Sequence, residues 1–325
     1  KDNQTQMSEI YLDIAKGISI LLVILGHIIQ YTSLNNSFLN NEIWIFIYSF
    51  HVPLFMHISG QLLFKSLQKN KKNIISCKIK QLLTPVIVWG VIIVSLYIIL
   101  YTVTKKECFY PNLHKELVMS HWFFKTLLCC SLILILSHQL SILYKTIIPI
   151  ILIGLIILAL PYNIFFVKSM YPFVLLGYLE RKFNLIPKIY KNRYSIPILI
   201  IYICTIFFYK GEYTIYFPNN NIIALYRFFL ATLGIHSILY ICFLCSHKEN
   251  YFTHQLSYIG TVTGALYILQ YFFIEHIYIW LGFTIDNEIL LNIIAPIITI
   301  IATYLLLYIN MTIKNKHLRV LLFGY

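Results

Sequence analysis

Charge is what this sequence has least of. Only 11% of its residues are Asp, Glu, Lys or Arg, whereas soluble domains run near a quarter, so an ordinary water-facing globular surface is excluded. Acidic residues are scarcer still, 12 against 25 basic ones. Glycine and proline number only 12 and 10, and they form no flexible linker and no Gly-rich phosphate loop. Seven cysteines fall mostly inside apolar runs and make no disulfide framework. Cys242 and Cys245 in "CFLC" have the spacing of a metal pair. They lie in an apolar run without a second pair, so they read as packing residues. With no internal repeat and no two-histidine helix motif, no metal is expected.

What is present is apolar length. Hydrophobic residues make up 59% of the chain, in recurring runs of about 20, the length that crosses a ~30 Å hydrocarbon core. In order, the runs predict ten helices near residues 12–34, 43–65, 82–103, 121–140, 146–160, 163–179, 195–210, 222–245, 258–281 and 288–312. The expected class is all-α, a polytopic integral membrane protein. No small-residue cleavage site follows the first run, so it is read as a retained helix. No gap exceeds about 17 residues, and residues 1–325 are expected to form a single transmembrane domain without an appended soluble one.

The basic residues orient these helices. Lys65, Lys69, Lys71, Lys72, Lys78 and Lys80 crowd the second gap, and Arg181, Lys182, Lys188, Lys191 and Arg193 the sixth. Lys145 and Lys248 occupy two more even-numbered gaps, and Lys314, Lys316 and Arg319 follow the last run. The odd gaps hold Lys105, Lys106, Lys115 and Lys210, diluted by Glu107, Glu116 and Glu212. Short Lys/Arg-rich loops stay cytoplasmic, so both termini are expected inside, most simply in a bacterial cytoplasmic membrane. The net charge of +13 is then topological, and no nucleic-acid partner is expected.

Polar residues within the runs are costly in lipid and point to function. "DIAKGISILLVILGH" carries Lys16 and His27, 11 residues apart. On a helix they differ by only ~20° in azimuth and ~16 Å along the axis. One stripe therefore carries a cation near the cytoplasmic end and an imidazole in the outer half; Lys16 can equally snorkel or pair with Asp13. "FHVPLFMHISG" brings His51 to the depth of His27, with His57 and Ser59 deeper. Pro53 can kink that helix, and Gly60 permits close helix contact. Arg227, Lys125, Lys168, Glu275 and His276 also fall within runs, and His236 reads as an interior hydrogen bonder.

These segments resemble the membrane acyltransferase 3 family, especially its polysaccharide and fucose O-acetyltransferase branch. Lys16 and His27 fit the family's first-helix pattern, a basic residue, ten others, then histidine, and Phe55, Ser59 and Gly60 fit the end of its second-helix pattern. "WFFKTLL" (Trp122–Leu128), "YPFVLLGYLERK" (Tyr171–Lys182) and "GTVTGALYILQ" (Gly260–Gln270) are similar to later segments. Two positions depart from it. Lys78, Lys80 and Gln81 in "KIKQLLTP" stand where members often carry paired arginines, and Gln270 stands where they often have histidine.

The resemblance implies acyl transfer, with acetyl-CoA as cosubstrate and a glycan or lipid-linked sugar as acceptor. Lys72, Lys78 and Lys80 would hold the donor phosphates, Lys16 would guide the donor, and His27 would deprotonate the acceptor hydroxyl. His51, Ser59 or Arg227 would orient the ring, stabilise the oxyanion or contact a substrate. Trp44 and Trp122, near the outer face with Trp280, would stack on sugar unless they only form an interfacial aromatic belt. The rival class is a transporter or flippase without chemistry, which ten helices and inward polar residues would also suit.

The alternation of loop charge generates a labelling pattern. Cysteines introduced at Asn36 and Asn287 should react with an impermeant maleimide from outside, and those at Asn70 and Asn192 should not. Reversal at any one site would mean a miscounted span.

Overall fold

The computed structural model describes residues 2–33, 37–69, 73–106, 113, 120–190, 192–210, 221–248, 250–277 and 284–325. Lys71 and Lys72 lie outside them, as do Asn36, Asn70 and Trp280. Helices α1 (Asp2–Thr32), α2 (Glu42–Gln68), α3 (Ile74–Thr104), α4 (Trp122–Leu143), α5 (Ile148–Ala159) and α6 (Val167–Lys182) come first. They are followed by α7 (Ile186–Ile189), α8 (Asn192–Ile206), α9 (Asn221–Ser246), α10 (Tyr251–Thr261) and α11 (Thr263–Gln270). A π-helical turn, Tyr271–Ile277, leads on to α12 (Glu288–Thr312) and α13 (Lys316–Phe323). Among the described residues there is no β-strand, only an isolated bridge between Ser33 and Ile285. An all-helical backbone satisfies its own polar groups, the condition lipid imposes.

Each of the ten expected segments contains helix, but among the described residues six helices are long and apolar enough to cross a membrane by length and composition, or seven if one bent pair is a single span. The segments expected fifth, sixth and seventh are helices of 12, 16 and 15 residues. At 1.5 Å per residue they reach about 18–24 Å, short of a ~30 Å core. The expected ninth segment is the bent pair. It breaks at Val262 and turns through 70° between α10 and α11. Threonine hydroxyls flank the break: Thr261 donates to the Tyr258 carbonyl at 2.7 Å and Thr263 to the Gly260 carbonyl at 2.6 Å. The third segment begins earlier than expected, so Lys78 and Lys80 ride on the first turns of α3.

The chain divides into two compact units. The first comprises residues 1–65 and 172–307. There α1 packs on α9, α10, α11 and the π turn, and α8 packs on α9. The second comprises residues 66–171 and 308–325, in which α3 packs on α4 and α13, and α4 on α5. The Trp89 indole N–H donates to the Leu322 carbonyl at 3.0 Å, tying α13 to α3.

Small residues set the closest approaches in the first unit. A Cβ on Gly17 would overlap the Leu256 carbonyl oxygen, and one on Gly260 the Asp13 carbonyl oxygen, so α1 and α10 touch backbone to backbone. The same holds for α2 and α6, where Gly60 faces the Val174 carbonyl and Gly177 the His57 carbonyl. The close contact expected of Gly60 is thus present.

Gly177→Val should destabilise the fold by about 2–3 kcal/mol, because the facing atom is backbone and cannot rotate away. Thermal or denaturant unfolding in detergent measures this. An unchanged midpoint would mean that α2 and α6 can separate at no cost.

Candidate active site

Two polar centres lie in the first unit. At the first, α1 presents His27, a half-buried residue. Its Nδ1 lies 2.8 Å from the Gln270 amide oxygen. An amide oxygen only accepts, so Nδ1 donates, and in the neutral ring Nε2 keeps the lone pair. Gln270 is fully buried at the end of α11, immediately before the π turn. The 70° break upstream directs α11 against α1, which is how a residue 243 positions away in sequence reaches His27. The Tyr31 ring packs edge-on to His27 at 5.8 Å, and the Glu275 carboxylate from the π turn hydrogen-bonds the Tyr31 hydroxyl.

His51 is buried on α2, and its Nδ1–H donates to the Ile47 carbonyl at 2.8 Å. It lies within electrostatic reach of His27. Lys16 is partly exposed on the same helix as His27 and pairs with Asp13 at 2.7 Å. The local partner considered from sequence is therefore made.

The second centre was not singled out from sequence as a site. Glu180 on α6 is 3% exposed and carries two imidazoles: His57 Nε2 lies 3.1 Å from one carboxylate oxygen and His236 Nε2 3.1 Å from the other. The Gln61 amide nitrogen lies 3.0 Å from the same His57 Nε2, and the Tyr11 hydroxyl donates to the Gln61 oxygen at 3.3 Å. The His57 nitrogen either donates to Glu180 or accepts from Gln61; it cannot do both. Four helices (α1, α2, α6 and α9) meet through this network. In sequence Glu180 stands directly before Arg181 and Lys182, one residue past the expected end of the sixth run. The available signal was its three-residue spacing from Gly177, which matches the spacing of His57 from Gly60.

The remaining predicted residues are more scattered. Ser59 is partly exposed on α2, two residues past His57. Arg227 on α9 hydrogen-bonds the Tyr209 hydroxyl. Trp44 is 1% exposed, stacked on Tyr48 at 3.9 Å and edge-on to Phe38 at 5.0 Å; a sugar could reach its faces only by displacing these rings. Trp122 begins α4 in the second unit and packs on Phe166 at 4.9 Å. Lys78 is partly exposed and Lys80 exposed, both in the second unit, while Lys72 falls outside the described residues. Among the described residues no group of three His, Cys, Asp or Glu side chains is arranged to hold a metal.

A helical integral membrane domain with an imidazole held in one tautomer inside its bundle is the class that fold and site define. Residues 9–310 match the model of the acyltransferase domain family, and the chain belongs to that family. It is similar to a nodulation protein NolL from Mesorhizobium japonicum (strain LMG 29417 / CECT 9101 / MAFF 303099), 32% identical over 123 residues, covering 37% of this chain and 33% of that protein. A second nodulation protein NolL, from Sinorhizobium fredii (strain NBRC 101917 / NGR234), is 29% identical over 187 residues, covering 53% of this chain and 48% of that protein. The chain thus spans a third to a half of the length of these curated relatives. No solved structure matches it.

The Glu180 network generates a stability prediction. Glu180→Ala removes the acceptor of the His236 imidazole and the carboxylate beside His57, and should lower unfolding stability by about 3 kcal/mol. Glu180→Gln keeps one acceptor oxygen and should lose about half as much. Equal stability of both variants and the parent would mean that the histidines find other partners.

Proposed function

We propose that the chain is a membrane-bound O-acyltransferase that moves an acyl group, acetyl from cytosolic acetyl-CoA, to a hydroxyl of a cell-surface or lipid-linked glycan in the bacterial cytoplasmic membrane. The observation that carries this reading is the His27–Gln270 contact in a chain of the acyltransferase domain family. With Nδ1–H committed to Gln270, the Nε2 lone pair of the neutral ring is the atom that takes a hydroxyl proton. A neutral alcohol is a poor nucleophile without such a base.

Lys16 sits on the same helical stripe, toward the cytoplasmic end, and draws in the anionic donor. Its pairing with Asp13 moderates that charge without removing the ammonium's other donors. His51 keeps a second imidazole beside the acceptor, and Ser59 and Arg227 serve as substrate contacts. One observation favours a second reading, a carrier without chemistry: the 70° break in a membrane helix, a device that transporters use to build binding sites.

Purified protein supplied with acetyl-CoA and a glycan acceptor separates the two readings, since a carrier gives no acyl turnover. His27→Ala should lower turnover ~10²–10⁴-fold while donor binding survives. Lys16→Ala should chiefly weaken donor binding, and Lys16→Arg should be mild. A folded His27→Ala protein with near-parent transfer would remove the proposed base.

A further inference from the structure

The chain continues past its last long apolar helix. After three intervening residues α12 is followed by α13, Lys316–Phe323. Eight residues make a helix of marginal stability alone, yet this one is fixed at both ends. The Asn315 side-chain oxygen accepts the backbone N–H groups of His317 at 2.9 Å and Leu318 at 3.2 Å. Gly324, at φ 81°, closes the other end. A Cβ there would overlap the Gln81 carbonyl oxygen, and Phe323 is buried. α13 is therefore held at the end of the second unit where α3 begins.

One sign of charge gathers at this end. Residues 66–81 and 308–325 contain no Asp or Glu. Lys78 and Lys80 ride on α3, and Lys314, Lys316 and Arg319 lie on or just before α13. Apolar side chains stand open among them. Leu318 and Leu321 are 48% and 45% exposed. By helical geometry they fall ~140–160° around the axis from Phe323, on the side turned away from that buried ring. Ile75 and Ile79, one turn apart on α3, are exposed as well, and the same geometry puts Lys78 and Lys80 on either side of their stripe. Water would leave these four side chains as bare apolar surface. Hydrocarbon alone would penalise the cations. The boundary between the two suits both.

We propose that α13 and the first two turns of α3 form an interfacial surface that binds anionic phospholipid headgroups. The cations meet lipid phosphate, and the leucines and isoleucines enter the acyl region beside it. The inference is independent of the acyl-transfer reading. Basic segments beside a membrane helix are drawn to anionic lipid, and an amphipathic helix lying in the interface adds buried apolar area. The rule that keeps Lys-rich loops on one side of a membrane accounts for the sign of the charge alone. It gives no reason for open leucines on a capped helix too short to cross. A soluble phosphate ester would use the cations and leave the same leucines in water, so lipid is the occupant that fits both.

Lipid retention by the full chain tests the proposal. The protein is reconstituted in vesicles of phosphatidylcholine with a minority of phosphatidylglycerol, re-extracted in neutral detergent, and its retained lipids are measured by mass spectrometry. The parent should hold phosphatidylglycerol about fivefold above the input ratio, the worth of one Lys or Arg against an anionic headgroup. The triple variant Lys314→Gln, Lys316→Gln, Arg319→Gln should return to the input ratio. The double variant Leu318→Ser, Leu321→Ser keeps every charge and should also lose the excess, and coenzyme A in the wash should leave the parent's excess in place. The input ratio in the parent, or an excess that survives the charge variant, would overturn the proposal. An excess that survives the leucine variant, or that coenzyme A displaces, would make the patch a site for free phosphate esters and overturn it as well. Should the charge variant fail to fold, washing the parent at ~0.5 M salt decides, because exposed charge attraction is screened there. An excess that persists through that wash would overturn the headgroup reading.

Discussion

Lipid offers no hydrogen bonds, and the arrangement of polar groups in this protein follows from that single constraint. Every buried polar side chain must find its partner inside the bundle. Serine and threonine hydroxyls fold back on carbonyls of their own helices, as Ser19 does on Ala15 at 2.7 Å and Thr32 on Ile28 at 2.7 Å. The groups that cannot be satisfied within one helix reach across to another, and these are the contacts that set helix neighbours. His27 reaches Gln270, Glu180 reaches His57 and His236, and the Ser49 hydroxyl meets the Tyr202 hydroxyl at 2.8 Å. Polar side chains thus act as specific couplers in a bundle whose apolar surfaces alone would permit many arrangements.

The two polar centres solve the same problem with different chemistry. Around Glu180 a charge is shared between imidazoles and closed off from solvent by Tyr11, Gln61 and their neighbours. Around His27 the partner is a neutral amide, and the residue is half-buried. A neutral orienting partner fixes the tautomer without the extra basicity a carboxylate would confer. An open edge is what a proton-accepting group requires.

Much of this architecture was legible in the sequence, because apolar length and charge position are local properties. The all-helical class, the Lys16–Asp13 pair and the close packing at Gly60 can all be argued from spacing along one helix or across one short loop. What was not legible is of two kinds. The break at Val262 lies in "GTVTG" (Gly260–Gly264), where glycine and threonine weaken a helix without forbidding one, so the long apolar run around it reads as a straight span. Gln270 and Glu180 gain their meaning from partners 243 and 123 or fewer positions away, on helices whose adjacency no local pattern announces. Trp44 misled for a related reason: an aromatic near a helix end looks interfacial until Phe38 and Tyr48 are seen to enclose it.

The glycine seam between α1 and α10 has a consequence for the distant end of the first helix. Gly17 and Gly260 press backbone on backbone, so the two helices are indexed against each other as teeth are, with no soft side chain to absorb a slip. A shift by one residue is 1.5 Å of travel, more than a 2.8 Å hydrogen bond tolerates. The alignment of His27 with Gln270 is therefore gauged ten residues away, by the absence of two methyl groups. Substitutions at that seam would detune the site while leaving every one of its side chains in place.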